Sequence, residues 1–288
     1  MKQQDDLKRN IQDYQLLALG ERKSMGKEWV LLSSNEIMES LGLDSQQSFR
    51  LLSRLLKQKR IQQLRRGHYL VPGYLPPGKI WAPSNYEALW AYMDWLGAKW
   101  QITGHAAFTR YGFSTQIPQI ITVYNNKLSG KADAGGGRFI FIKLPVNQIG
   151  SIKLFKMPGG IKIPFSSKAR TIFDAIHFAN RFGTIPEAYK WIKLIAKDSK
   201  EIDELIKCTL LYGNKQSISR IGFVLESINI DVSSLFNKIE EQAGKTFFSL
   251  IPNSRNGPAN KKWKIIENKN LNQIFSEMEI PDDDETTS

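Results

Sequence analysis

Cysteine occurs once in the 288-residue sequence and histidine three times. A single Cys208 excludes an intramolecular disulfide and any zinc site built on several cysteines. Its neighbours Leu205, Ile206, Leu210 and Leu211 mark it as a core thiol. His68, His105 and His177 stand far apart in different predicted elements, so each is read as structural and none as a ligand or base. No apolar run reaches the length of a membrane span, and Lys-Gln-Gln-Asp-Asp after Met1 contains no apolar core of a signal peptide. A cytoplasmic protein with no membrane partner is expected.

Carboxylates are missing where a nuclease would need them. Between residues 134 and 173 there is no Asp or Glu, whereas Arg138, Lys143, Lys153, Lys156, Lys162, Lys168 and Arg170 supply seven positive charges. That stretch cannot hold a two-metal site by itself, but it could face nucleic acid or an acidic protein. The glycine-rich run at 128–137 lacks G-x-x-x-x-G-K-[ST] and joins two predicted strands, so it reads as a hairpin loop rather than a phosphate cradle. No catalytic residue, metal site or cofactor emerges, and a protein that is not an enzyme is expected.

What is abundant is positive charge: +12 at pH 7, with a pI near 9.6, which favours an anionic partner. It concentrates around residues 33–72. Ser33 with Glu36, and Asp44 with Gln47, have capping-box spacing, and Gly42 between them suits a left-handed turn. Two helices joined by a tight turn follow, the second over residues 45–59. Stepped at the helical period, Phe49, Leu52, Leu55 and Leu56, with Leu51 marginal, fall on one side, and Gln46, Gln47, Arg50, Arg54 and Lys57 on the other. Guanidiniums bind guanine and amides bind adenine in the major groove, so this is read as a recognition helix. Residues 61–71 then read as strand, turn and strand, with Arg65 and Arg66 at the tip of a wing that meets phosphate. From Arg50 to Arg66 there are seven basic residues and no acidic one.

A first helix over residues 5–19 and a short strand at 29–32 complete a winged helix-turn-helix of residues 1–76. Proline-glycine breaks at 72–73 and 76–78 read as a domain edge. The larger domain, 77–288, is expected to be mixed, with a small antiparallel sheet, several helices and a mobile acidic tail at 282–285. The fold class is therefore α+β. An aromatic helix at 86–96 carries Trp90 and Trp95 between Trp81 and Trp100, more in the manner of a core than of a base-stacking platform. Thr103 is placed to cap a short helix at 104–111, residues 119–124 and 138–144 alternate like paired strands, and 152–157 with 161–165 form a hairpin. Helices are expected at 168–180, 187–196, 202–212, 217–229 and 232–242, and strands at 247–251 and 263–266. Arg170 and Asp174 have the spacing of an i,i+4 ion pair.

The wing Leu64-Arg65-Arg66-Gly67-His68-Tyr69, then Thr103-Gly104-His105-Ala106-Ala107 leading to Tyr111-Gly112, then Ser167-Lys168-Ala169-Arg170-Thr171-Ile172-Phe173-Asp174, resemble the AbiEi family of antitoxin-type transcriptional regulators. The resemblance covers about residues 32–225. It implies a DNA-binding N-terminal domain that represses its own operon at an inverted-repeat operator. It also implies a C-terminal domain that counteracts a nucleotidyltransferase-like toxin, directly or indirectly, in phage defence. By that resemblance Arg170, Thr171 and Asp174 match the antitoxin-domain motif. An RNA-binding winged helix, and a stand-alone regulator without a toxin, are the competing readings.

Overall fold

The computed structural model describes residues 2–75, 79–241, 246–252 and 254–277. The second proline-glycine break, at 76–78, and the acidic tail at 282–285 lie outside the described residues. The chain opens with α1 (Lys2–Ser24), β1 (Trp29–Ser33), α2 (Ser34–Leu41), α3 (Ser45–Lys57), β2 (Gln62–Arg65), β3 (His68–Pro72) and α4 (Asn85–Trp95). Then come β4 (Trp100–Thr103), α5 (His105–Arg110), β5 (Ile121–Asn125), β6 (Gly130–Ala134), β7 (Gly137–Lys143), β8 (Ile152–Lys156) and β9 (Lys162–Ser166). Helices α6 (Lys168–His177), α7 (Ala179–Phe182), α8 (Glu187–Ile195), α9 (Ser199–Tyr212), α10 (Lys215–Ser227) and α11 (Ser233–Glu241) follow. The described chain ends with β10 (Phe248–Ser249), β11 (Ala259–Asn260), β12 (Ile265–Ile266) and α12 (Leu271–Ser276). The fold is mixed α/β, and no described helix is long and apolar enough to cross a membrane.

Compactness divides the chain elsewhere than at residue 76. One unit comprises 1–101, 119–149 and 154–164, the other 102–118, 150–153 and 165–288. In the first, β1, β3 and β2 form an antiparallel sheet in that order, with Leu31 opposite Leu70 and Gln63 opposite Tyr69. Helices α1 to α3 bury Leu16, Leu19, Ile37, Leu51, Leu52 and Leu55 together with Leu32, Ile61 and Val71 from the strands and loop. The segment after residue 76 adheres to this body. Trp29 Nε1 donates to Glu87 Oε1 at 3.2 Å, the Trp81 amide donates to the Lys59 carbonyl at 2.8 Å, and the Gly135 amide donates to the Gln63 carbonyl at 2.9 Å. Gly135 is required there: its φ is +57°, and a Cβ would lie 2.7 Å from the Ala88 Cβ.

The stretches at 119–124 and 138–144 do become β5 and β7, but they pair parallel, Ile121 with Phe139 through Asn125 with Lys143. The glycine-rich run between them contains β6, which pairs antiparallel with β7. A parallel pair needs a crossover, and β6 with its turn provides one. In the second unit β4 and β9 also pair parallel, Ile102 opposite Phe165, so the expected antiparallel sheet is replaced by mixed pairing.

The second unit has its own core, in which α6 and α8 to α12 bury Phe173, Ile176, Trp191, Leu205, Ile221, Trp263 and Ile274. Cys208 is buried there, and burial pushes its thiol up to about 11. The expected helix at 168–180 is broken at Phe178 into α6 and α7. Strand β12 pairs parallel with β10 and antiparallel with β11.

Candidate nucleic-acid interface

Both helix starts form as their local chemistry dictates. Ser33 Oγ accepts from the Glu36 amide at 3.2 Å and Glu36 Oε2 accepts from the Ser33 amide at 2.7 Å. Asp44 Oδ1 accepts from the Gln47 amide at 2.8 Å while Gln47 Oε1 accepts from the Asp44 amide at 3.0 Å. Gly42 ends α2 in the left-handed region, φ 62°. Gln47 therefore spends its carbonyl oxygen on the cap, although its residue is exposed.

The phase of α3 differs from the expected one. Its buried stripe is Ser48, Leu51, Leu52 and Leu55, and Phe49 is 71% exposed. The outward face is Gln46, Phe49, Arg50, Ser53 and Lys57, all exposed and none acidic. Centring the stripe on Leu51, Leu52 and Leu55 places Phe49 outside it, because successive residues step by about 100°. Arg54 lies at the edge of the stripe and turns inward. Its Nε and Nη2 donate to Asp13 Oδ1 of α1 at 3.0 and 2.6 Å, and Arg60 Nη1 lies 3.9 Å from Asp13 Oδ2. No local pattern foretells this tie, since Asp13 is 41 residues from Arg54.

The β2–β3 hairpin closes with Arg65 opposite His68, so Arg66 and Gly67 form the turn, with Gly67 at φ 76°. Arg66 is exposed at that tip. Arg65 is anchored: its guanidinium carbon sits 4.0 Å from the centroid of the Trp95 ring, and the His68 ring is 5.2 Å from the same tryptophan. Trp81, Trp90, Trp95 and Trp100 are all half-buried, neither a sealed core nor an open platform.

The second basic stretch is divided between the two units. Arg138, Lys143, Lys156 and Lys162 belong to the first unit, and Lys153, Lys168 and Arg170 to the second. Arg170 is only 1% exposed. Its Nε donates to Asp174 Oδ1 at 2.8 Å, and its guanidinium carbon lies 3.8 Å from the Tyr212 ring centroid. Asp174 Oδ2 also accepts from Thr103 Oγ1 at 2.8 Å and Ser166 Oγ at 3.3 Å. Thr103 is thus a partner of α6 and not a cap for α5, whose N-cap is Gly104. Thr171 is buried, with its hydroxyl 3.4 Å from the Ser166 carbonyl. Arg170, Thr171 and Asp174 come together, as a buried brace between the start of α6 and the ends of β4 and β9.

Other chemistry is sparse. Among the described residues no three His, Cys, Asp or Glu side chains are grouped to hold a metal. His177 Nδ1 lies 3.1 Å from Ser217 Oγ, and burial holds its imidazole below the ordinary value.

No family model matches the chain, and no curated protein does. Among solved structures it is similar to the RV2827C protein from Mycobacterium tuberculosis, with 12% identity, a TM-score of 0.57, and coverage of 89% of this chain and 91% of that one. At that identity the likeness is one of fold.

Proposed function

We propose that this chain is a sequence-specific double-stranded DNA-binding repressor that autoregulates its operon and serves as antitoxin to a nucleotidyltransferase-like toxin, as the AbiEi resemblance implies. The observation that carries the DNA-binding part is the outward face of α3. Gln46, Phe49, Arg50, Ser53 and Lys57 are exposed together with no carboxylate among them, and the β2–β3 hairpin of the same unit bears Arg66 exposed at its tip. On this reading α2 and α3 are a helix-turn-helix and β2–β3 the wing. Gln46 and Arg50 read base edges, and Phe49 meets a thymine methyl. Lys57 and Arg66 neutralise phosphate, and Arg65 is held against Trp95 for the same task. Arg54 and Gln47 support the helix. Residues 1–76 would then carry operator binding and 77–288 toxin control, with Arg170, Thr171 and Asp174 keeping the second core in shape.

A mobility-shift titration on DNA from upstream of the gene, against random duplex, tests this. Arg50→Ala should cost about 1–3 kcal/mol on the specific site and far less on random duplex. Arg66→Ala should weaken both alike and reduce the salt slope by about one. Equal loss on both duplexes for Arg50→Ala removes its base-reading role. For the antitoxin part, Arg50→Ala with Lys57→Ala should abolish repression of a promoter reporter while growth under co-expression of the neighbouring toxin is still rescued. Loss of both together refutes the division of labour.

A further inference from the structure

The second unit contains a cavity of about 450 Å³ that no proposed role uses. Such a volume lies within the range of small-molecule sites. Arg220 of α10 lines it, together with Arg255, Asn180, Gln216, Phe247 and Phe248, and no lining residue is acidic. Arg220 is 5% exposed, and its Nε and Nη2 both donate to the Ser249 carbonyl, at 3.1 and 2.9 Å. A carbonyl orients a guanidinium without neutralising it, and among the described residues no carboxylate pairs with Arg220. Its burial is unfavourable enough to hold the guanidinium below the ordinary arginine value. Even so, arginine stays charged in proteins. This contrasts with Arg170 in the same unit, whose charge is answered by Asp174. A buried charge without a counterion is costly, and an anion entering the cavity would remove that cost.

The remaining lining residues narrow the class of anion. Arg255 is exposed at the mouth, adding a second positive charge. Asn180 and Gln216 offer amide donors and acceptors. Phe247 and Phe248 are half-buried, and the Lys264 ammonium lies 5.6 Å from the Phe247 ring centroid. Two guanidiniums match the oxygens of a phosphoryl group, and aromatic faces match a planar ring. We propose that this cavity binds a small phosphate ester bearing a planar ring, a mononucleotide by chemical class, with the phosphoryl group on Arg220 and Arg255 and the ring against Phe247 or Phe248.

Isothermal titration of the full chain with AMP, GMP, CMP and UMP, with adenosine, and with inorganic phosphate tests the proposal at near-physiological salt. At least one nucleotide should bind, inorganic phosphate should bind more weakly and compete with it, and adenosine should give no heat. Arg255→Ala, an exposed change that leaves folding intact, should weaken the nucleotide roughly tenfold. Phe247→Ala should weaken the nucleotide and leave inorganic phosphate unchanged. Arg220→Gln should abolish binding of both, and if that variant does not fold, Arg255→Ala still decides. The proposal is overturned if no nucleotide binds at millimolar concentration, if adenosine binds as well as AMP, or if Arg255→Ala binds like the parent. It is equally overturned if nucleotides do not bind while Arg255→Ala weakens duplex DNA, because the arginines would then belong to a nucleic-acid surface.

Discussion

Replacing Arg54 separates a structural arginine from a reading one on the same helix. The Asp13 side chain is 5% exposed and that of Arg54 24%, with contacts of 3.0 and 2.6 Å through two guanidinium nitrogens. Removing one partner of a buried pair costs about 3–5 kcal/mol. Arg54 is partly solvated, and Arg60 stands 3.9 Å from the other Asp13 oxygen to compensate in part. Discounted for both, Arg54→Ala should destabilise the fold by about 2 kcal/mol. At about 2–4 °C per kcal/mol for a body of 150–250 residues, the melt should fall by about 4–8 °C. Asp13→Asn should show a similar loss without touching α3. Arg50→Ala, on the exposed side, should stay within about 0.5 kcal/mol of the parent. Circular dichroism melts alongside the mobility shift measure both properties. A parent-like melt for Arg54→Ala, with binding lost on one sequence only, would refute the assignment of Arg54 to packing.

Phe49→Ala should leave the melt unchanged within about 0.5 kcal/mol and weaken specific duplex binding, since the ring is 71% exposed; a melt lowered by several degrees would mean that the ring is packed in solution. In the second unit, Asp174→Ala removes the carboxylate that accepts from both Arg170 Nε and the Thr103 hydroxyl, and urea unfolding should show a loss of about 3–5 kcal/mol. His177 has a folded pKa lowered by burial from its ordinary 6.5, so the unfolded chain binds the proton more readily. Its contribution is whole above about pH 6.5 and is lost as pH falls through the folded value. His177→Asn should flatten the stability slope below about pH 6.5 in urea titrations, and an unchanged slope would remove His177 as its source.

What could be read in the sequence was local. Ser33 with Glu36, Asp44 with Gln47, and Gly42 lie within one short stretch of chain, and their caps form as their spacing dictates. The phase of α3 was less legible, because Phe49 and Leu51 are equally apolar and only the fit of α1 and the strands chooses between them. The tie that turned Arg54 inward spans 41 residues, and the bond from Thr103 to Asp174 spans 71. Strand β6 was not legible because Gly130–Ala134 sets only glycine and alanine against Lys131 and Asp133, with no large or β-branched apolar residue, and owes its conformation to the ladder with β7. The cavity around Arg220 is assembled from segments far apart in sequence, so neither its volume nor its lack of a carboxylate could be read from spacing.

Compactness alone does not decide whether residues 1–76 fold by themselves. The cluster of Leu16, Leu19, Leu32, Ile37, Leu51, Leu52, Leu55, Ile61 and Val71 lies wholly within that stretch. Leu64 and Leu70 are also buried but stand outside that cluster, and a Cβ at Gly135 would lie 3.3 Å from Leu70 Cδ1. The polar ties that the fragment loses include the bond from Trp29 to Glu87, the amides of Trp81 and Gly135 on the Lys59 and Gln63 carbonyls, and the stacking of Arg65 on Trp95. At about 1 kcal/mol for each hydrogen bond and about 0.5–1 for the cation–π contact, this amounts to about 3–4 kcal/mol. A small domain has about 5–15 kcal/mol in hand. The fragment should therefore melt cooperatively, but lower than the full chain by more than about 10 °C, at about 4–8 °C per kcal/mol for a body this small. It should also bind duplex less tightly, because Arg65 has lost the ring that orients it. A fragment with no cooperative melt would show that α4 and the Gly135 turn are part of the first folding unit. The division at residue 76 would then be one of sequence pattern and not of stability.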